Sequence, residues 1–377
     1  MEKQKTEIER MIRPNCAGFE PYVAGKPVET IKRELGLKKV VKLASNENPL
    51  GPSKKALAAM KMALGKVFYY PDSNSFAMKQ AISKKFKMKP ENIMVGAGSD
   101  EIIELIAKLF FGREDEIIIS DHAFVRYEMA GKLMGSKVVS IPMKNYKHDL
   151  SAMAEAVNGN TKAIFVANPN NPTGTYNTKA EFEEMLAILS TKQLNCMPLL
   201  IMDEAYYEYA RVEKDYPETL GYFEKYPNLV VLRTFSKIYA LAGLRAGYGF
   251  ASKELVDYID RIRPPFNLNS VAQAAAIASL ADAAQVSKGL AVIKKEKKYL
   301  YGELKKLGIS FIPSAANFIL MEIKPFTGKE VFLNLLKLGV IARAMDEYLF
   351  PNFIRVSIGL PEENRMFIAS VKKLLKQ

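Results

Sequence analysis

The sequence predicts an α/β fold in which a large domain, built on a mostly parallel central sheet flanked by helices, is joined to a smaller α+β domain. Three observations predict it. From about residue 93 onwards, short apolar runs alternate with helical periods, the pattern of repeated βα units. The runs are apolar throughout, as strands covered on both faces are. At 377 residues the chain exceeds one ordinary domain, so two apposed lobes are expected.

The elements follow in order. VETIKREL reads as a helix closed by Gly36, and the short apolar VVKL comes next. NENPLGPS is dense in turn formers and ends at Ser53, an N-cap for a helix through KKALAAMKMAL. IMVG opens the βα series; Ile102, Ile103, Ile106, Leu109 and Phe110 then share one helix face, and EIIIS is the next strand. KVVSIP, KAIFVAN, PLLIMDE and NLVVLRT read as further strands buried on both faces, with helices over Asp149–Val157 and Thr178–Leu189 between them. Beyond Arg263-Pro264-Pro265, helical stretches at about 270–285 and 287–307 precede shorter strands in FIPSAANFILMEI and GVIARAM. That proline pair marks the expected boundary of the smaller lobe.

Composition excludes several classes. Hydrophobic residues make up 49% and charged residues 25% of the chain, which is ordinary for a globular protein. The N-terminal MEKQKTEIERMIRP is charged from its second residue, unlike a secretory leader, and no apolar run approaches the roughly 18 residues that span a bilayer. A soluble, cytoplasmic protein with no membrane partner is the expectation. Cys16 and Cys196 form no CxxC pair, and His122 and His148 are the only imidazoles, so no metal site is expected. The formal charge of +13 is spread over amphipathic segments, as at Lys84, Lys85 and Lys87. It reads as solvated faces and not as a nucleic-acid-binding arm, although a positive field also steers small anions inward.

The chemistry concentrates in VVLRTFSKIYALAGLRAGYGF. A buried strand ends in Thr234, Ser236 and Lys237, and Arg245 follows eight residues after the lysine. An amine, two hydroxyls and a guanidinium are what a phosphorylated aldehyde needs: the amine condenses with the carbonyl while the others hold the phosphate. In isolation, a solvated lysine at a strand end is the bland alternative.

Other segments converge on the same kind of ligand. VGAGSDEIIELI joins a strand to a helix through glycines, leaving backbone N–H groups beside Ser99 and Asp100 as a phosphate cradle; Ser99 also reads as an ordinary N-cap. Asp203 ends the apolar strand PLLIMDE, where α/β proteins place ligands. The prolines of Asn168-Pro169-Asn170-Asn171-Pro172-Thr173-Gly174 fix a turn able to aim an amide inward. Arg343 and Arg355 lie on strands expected in the smaller lobe, where a planar guanidinium suits bidentate recognition of a carboxylate.

Taken together, S-K-x-x-x-L-A-G-L-R-x-G-Y, NPNNPTG and the strand end at Asp203 resemble the fold-type-I aminotransferases, and within them the histidinol-phosphate aminotransferase family, across nearly the whole chain. The resemblance implies pyridoxal 5'-phosphate held as a Schiff base on Lys237. It implies Asp203 on the pyridine nitrogen, Asn171 and Tyr206 on the ring oxygen, and Phe124 stacked on the ring, with Tyr207 and Tyr209 left as packing residues. The cofactor phosphate falls to Ser99, Asp100, Thr234, Ser236 and Arg245. FYYPDS matches the stretch whose tyrosine, Tyr70 here, reaches the phosphate of a neighbouring subunit, so a homodimer with shared active sites is implied. Arg355 becomes the clamp on the substrate carboxylate and Arg343 the contact to its distal anion, while PYVAGKP and LASNENPLG nominate Tyr22 and Asn46. GVIARAM carries Ala344 where a proline is common in the family. His122 receives no role.

The implied division is an N-terminal arm with part of the small domain over 1–45, a cofactor-binding domain over 46–265 and a small domain over 266–377. The implied reaction passes an amino group between glutamate/2-oxoglutarate and histidinol phosphate/imidazole-acetol phosphate, small amino and oxo acids of histidine biosynthesis. An aromatic amino-acid aminotransferase and a decarboxylase of a phosphorylated amino acid share the same motifs. A cofactor-sensing transcription regulator is set aside because residues 1–30 are too few for a helix-turn-helix domain. A basic nucleic-acid-binding protein is the non-enzymatic alternative.

Overall fold

The computed structural model describes residues 6–19 and 28–376. The short β1 (Val41–Lys42) precedes the seven strands of the central sheet: β2 (Ile93–Gly96), β3 (Glu116–Ser120), β4 (Lys137–Ile141), β5 (Thr161–Ala167), β6 (Leu199–Asp203), β7 (Leu229–Thr234) and β8 (Gly247–Phe250). Their spatial order is β2-β8-β7-β6-β5-β3-β4. All neighbours are parallel except β8, which runs antiparallel to both β2 and β7. The apolar strands occupy the middle: β3 and β7 are buried at every residue, as a sheet with helices on both faces requires. KVVSIP departs from the sequence expectation. As β4 it is the outer strand beyond β3, paired on one side only, and its residues are partly or fully exposed.

Helices start where capping side chains satisfy their free N–H groups. Ser53 accepts from Ala56 N ahead of Lys54–Leu64, and Thr178 with Glu181 forms a reciprocal capping box on Lys179–Ser190. Each such cap contributes about 1 kcal/mol. The expected stretches at 270–285 and 287–307 are the helices Ser270–Leu280 and Ala283–Lys306, divided at Asp282, whose side chain caps the second. Ser270–Leu280 packs along Lys54–Leu64 and Phe76–Phe86, on the side of the large sheet.

The second sheet takes β9 (Ser310–Ile312), β10 (Phe318–Glu322), β12 (Arg343–Met345) and β13 (Phe350–Ser357) in the order β12-β13-β10-β9, while β11 (Val340–Ile341) runs parallel to β1. Pairing of β12 with β13 sets Arg343 directly opposite Arg355. The predicted strand GVIARAM is thereby split in two, its first half pairing with β1 and its second with β13. No helix among the described residues is by itself long and apolar enough to cross a membrane.

Candidate active site

Two adjoining cavities open at the C-terminal ends of β5, β6 and β7. One, of about 250 Å³, is lined by Ser99, Asp100, Asp203, Thr234, Ser236 and Arg245 among others. The other, of about 760 Å³, reaches Arg343 and Arg355. Phe124, Asn171, Tyr206 and Lys237 line both. Residues from both ends of the chain therefore meet where parallel strands end, the usual ligand position in such sheets.

Lys237 stands just past β7, half-buried, with Nζ 3.2 Å from the Ser45 carbonyl and 5.5 Å from the Tyr206 ring centroid. Burial, then the nearby charge of Arg355, lowers its pKa to about 8, against the pull of Glu47 and Asp100. Near neutral pH such an amine exists partly as the free base, the form that attacks a carbonyl.

Asp203 is 5% exposed. Its Oδ2 accepts from Tyr127 Oη at 2.7 Å and its Oδ1 from Ala205 N at 3.1 Å. Burial nevertheless raises its pKa to about 6, with Tyr127 and Ala205 pulling it down and Asp100 and Glu204 pushing it up. A buried carboxylate with so little to neutralise it is suited to a cationic partner placed in the cavity. Tyr127 was not singled out from the sequence. Its local signal is its place at the end of HAFVRY, three residues after Phe124, and its partner lies 76 residues away.

At the opposite end of the smaller cavity, Thr234 Oγ1 donates to Ser236 Oγ at 3.0 Å, and Arg245 Nη1 reaches Ser236 Oγ at 3.4 Å and the Ala242 carbonyl at 3.1 Å. Arg245 Nη2 lies 3.7 Å from Asp100 Oδ2. Two glycines allow this closeness. A Cβ on Gly98, whose φ is +85°, would fall 2.5 Å from Arg245 Nη2, and one on Gly247 would fall 2.3 Å from Ser99 N. The N-terminus of helix Ser99–Phe110 is thus pressed against β8 beside two hydroxyls and a guanidinium, a donor set built for an anion.

In the larger cavity, Arg355 is 7% exposed. It donates through Nη2 to the Ala44 carbonyl at 2.7 Å and through Nη1 to Asn171 Oδ1. Asn46, at φ +58°, donates from Nδ2 to Tyr206 Oη at 2.9 Å, and its N–H donates to Ser357 Oγ at 2.8 Å. Arg343 bonds Glu347 at the rim. Phe124 meets the Tyr127 ring edge-on at 5.7 Å. Tyr207 and Tyr209 are buried at 4% each, and Tyr207 lies under the Arg233 guanidinium at 3.4 Å. His122 donates from Nδ1 to the Tyr348 carbonyl and stacks on Phe350 at 3.9 Å, so it ties the loop after β3 to the second sheet. One nominated residue is not in this assembly. Tyr70 is 81% exposed, stacked on Phe266 at 4.6 Å, and lines neither cavity. Tyr22 lies outside the described residues.

Residues 38–371 match the family model for aminotransferase class I and II. The chain belongs to the class I and II aminotransferases. Among the relatives of this aminotransferase, the histidinol-phosphate aminotransferase of Moorella thermoacetica is 44% identical over 96% of this chain and 93% of that protein. Histidinol-phosphate aminotransferase 2 of Carboxydothermus hydrogenoformans is 45% identical over 97% and 99%. The structure of the histidinol-phosphate aminotransferase of Sinorhizobium meliloti, in complex with pyridoxal 5'-phosphate, superposes with a TM-score of 0.85 at 25% identity, covering 96% of this chain and 98% of that one. The corresponding enzyme of Clostridium acetobutylicum gives 0.81 at 29% identity, over 89% and 99%.

The family's cofactor is pyridoxal 5'-phosphate, and the residues of this aminotransferase fit it. The anion cradle at Ser99, Ser236 and Arg245, the partly deprotonated amine of Lys237 and the buried acid Asp203 line one cavity. They supply the three contacts that a phosphorylated pyridine aldehyde requires.

Proposed function

We propose that this aminotransferase exchanges an amino group between glutamate/2-oxoglutarate and histidinol phosphate/imidazole-acetol phosphate. The observation that carries the reading is the relatives' identity of 44–45% over nearly the whole chain. Supporting it, two arginines stand opposite each other on neighbouring strands and line the same cavity, an arrangement suited to a phosphate dianion.

When bound, the cofactor supplies an aldehyde that takes up the amino group and a ring that withdraws electrons from the substrate's α-carbon. Lys237 Nζ anchors it and, once released, takes the α-proton and returns it. Its lowered pKa serves both tasks. Asp203 holds a proton on the ring nitrogen by its negative charge. Asn171 and Tyr206 donate to the ring oxygen, and Phe124 covers one ring face. Arg245, Thr234, Ser236 and the amides at Ser99 and Asp100 hold the phosphate. Arg355 fixes the substrate's anionic end with Asn46 nearby, and Arg343 releases Glu347 to meet the second anionic contact; Tyr22 belongs to the same substrate group. The Arg343–Glu347 pair is partly exposed and so contributes at most about 1 kcal/mol, which lets it exchange partners readily.

We further propose a cytoplasmic homodimer. Met62, Val67, Phe68, Tyr69, Tyr70 and Phe76, close together in the chain, are all exposed, the kind of apolar surface that marks subunit contact, and Tyr70 among them would reach the neighbour's phosphate. The two-lobe division over 46–265 and 266–377, with 1–45 as arm and part of the small lobe, belongs to the same proposal. The packing of Ser270–Leu280 favours moving the crossing point to Asp282.

A second reading has one observation in its favour. Phe332, Leu333, Leu336 and Ile341 give the larger cavity an apolar wall that suits phenylalanine or tyrosine. Comparing kcat/KM for histidinol phosphate, phenylalanine and tyrosine with 2-oxoglutarate decides between them. The proposal expects histidinol phosphate to lead by at least about tenfold, and absence of activity on it would overturn the assignment.

A further inference from the structure

We propose that Tyr127 is a positioning residue that keeps Asp203 ionised and aimed at the cofactor's ring nitrogen. This rests on the reading of the site as a pyridoxal-phosphate site.

The geometry leaves Tyr127 little freedom. It is fully buried, its ring lies parallel to Phe165 with centroids 4.8 Å apart and planes 12° apart, and Phe124 closes against it edge-on. Held on both sides, its Oη points at Asp203 Oδ2 at 2.7 Å. The backbone N–H of Ala205 takes Oδ1. Each carboxylate oxygen is therefore tied to one donor, which fixes the plane of the group, and each oxygen retains a lone pair for a further donor. A carboxylate placed this way presents one orientation to whatever enters the cavity.

The electrostatics act in the same direction. Asp203 faces Asp100 at the start of the helix after β2, Glu204 beside it on the chain, and the phenol of Tyr206, none of which favours its negative charge. Tyr127 and Ala205 N–H are the two donors that stabilise the anion. The Tyr127 phenol itself is held well above its ordinary pKa by burial and by Asp203, so it stays a donor throughout the working pH range. A phenylalanine would preserve both ring contacts and remove only the donor. The carboxyl would then pick up a proton at a higher pH and swing about its single remaining tie.

The test compares wild type, Tyr127→Phe, Asp203→Asn and the double variant, each as apoprotein titrated with pyridoxal phosphate between pH 6 and 8. The binding constant and the absorbance of the bound cofactor are both read. Wild type should weaken by no more than about twofold at pH 6, where Asp203, with its pKa of about 6, is half protonated. Tyr127→Phe should bind roughly tenfold or more weakly at pH 6, the effect of losing a hydrogen bond to a charged group, and should recover towards pH 8 as Asp203 ionises. In the Asp203→Asn background the same substitution should change binding less than twofold, because the charge it protects is gone. Equal affinity and equal spectra for wild type and Tyr127→Phe across the pH range would overturn the inference, as would an equal loss in both backgrounds. Wild type that fails to bind pyridoxal phosphate at all would instead sink the cofactor reading beneath it.

Discussion

Arg355 donates to Asn171 Oδ1 and to the Ala44 carbonyl, so a guanidinium on the four-stranded sheet bonds the turn after β5 and the segment after β1. The group proposed to clamp substrate also holds three separate stretches of chain together. Arg355→Lys keeps the charge but loses the planar fork. We expect kcat/KM to fall by about 100-fold for both amino donors, with cofactor binding unchanged, as measured by steady-state kinetics and by titration of the apoprotein.

The free amine of Lys237 is the reactive form, and its pKa is lowered to about 8. The rate at which apoprotein captures pyridoxal phosphate should therefore rise with pH and level off above about pH 8, because the neutral amine dominates there. Stopped-flow absorbance across pH 6–10 reads this directly. A rate still climbing at pH 10 would mean an unperturbed lysine. Arg355 contributes to the lowering, so Arg355→Gln should move the midpoint upward.

Gly247 and Gly98 test the anion cradle. A methyl group at Gly247 would collide with Ser99 N and Gly98, which are backbone atoms unable to swing aside. Gly247→Ala should destabilise the protein by about 1–3 kcal/mol and weaken cofactor binding. Gly98→Ala meets the movable end of Arg245, but at a positive φ, and should impair the phosphate site more than the fold. Thermal melts with and without cofactor separate the two effects.

Arg233 and Glu204 form an ion pair, 2.7 Å apart and each 1% exposed, next to Asp203 along the chain. Breaking a buried pair strands a charge. Arg233→Met leaves Glu204 without its partner and should cost about 3–5 kcal/mol, read as a lowered urea midpoint.

Much of this was legible in the sequence because it is local. Lys237, Ser236 and Arg245 sit in one continuous motif, Asp203 ends an apolar run, and the cap at Ser53 announces its helix. What was not legible depends on partners far apart in the chain. The Tyr127 phenol finds Asp203 only because β6 lies beside β5 and Tyr127, from a helix packed on β3 and β4, stacks its ring on Phe165 of β5. The opposition of Arg343 and Arg355 depends on the register of β12 with β13, which neither strand encodes alone. The exposure of KVVSIP has the same origin, since an apolar run does not reveal that it will end at a sheet edge. His122 was set aside as one imidazole near the site, and only the fold shows it fastened to Tyr348 and Phe350.

Shared sites have their own test. Lys237→Ala and Tyr70→Phe should each be inactive or nearly so, and mixing them under conditions that exchange subunits should restore part of the activity through hybrid dimers. Absence of complementation would place Tyr70 outside the partner's site.

The most direct measurement is borohydride reduction of the holoenzyme followed by peptide mapping. A stable phosphopyridoxyl label should appear on Lys237 and be lost in Lys237→Arg. A label on another lysine, or none, would contradict the account at its centre.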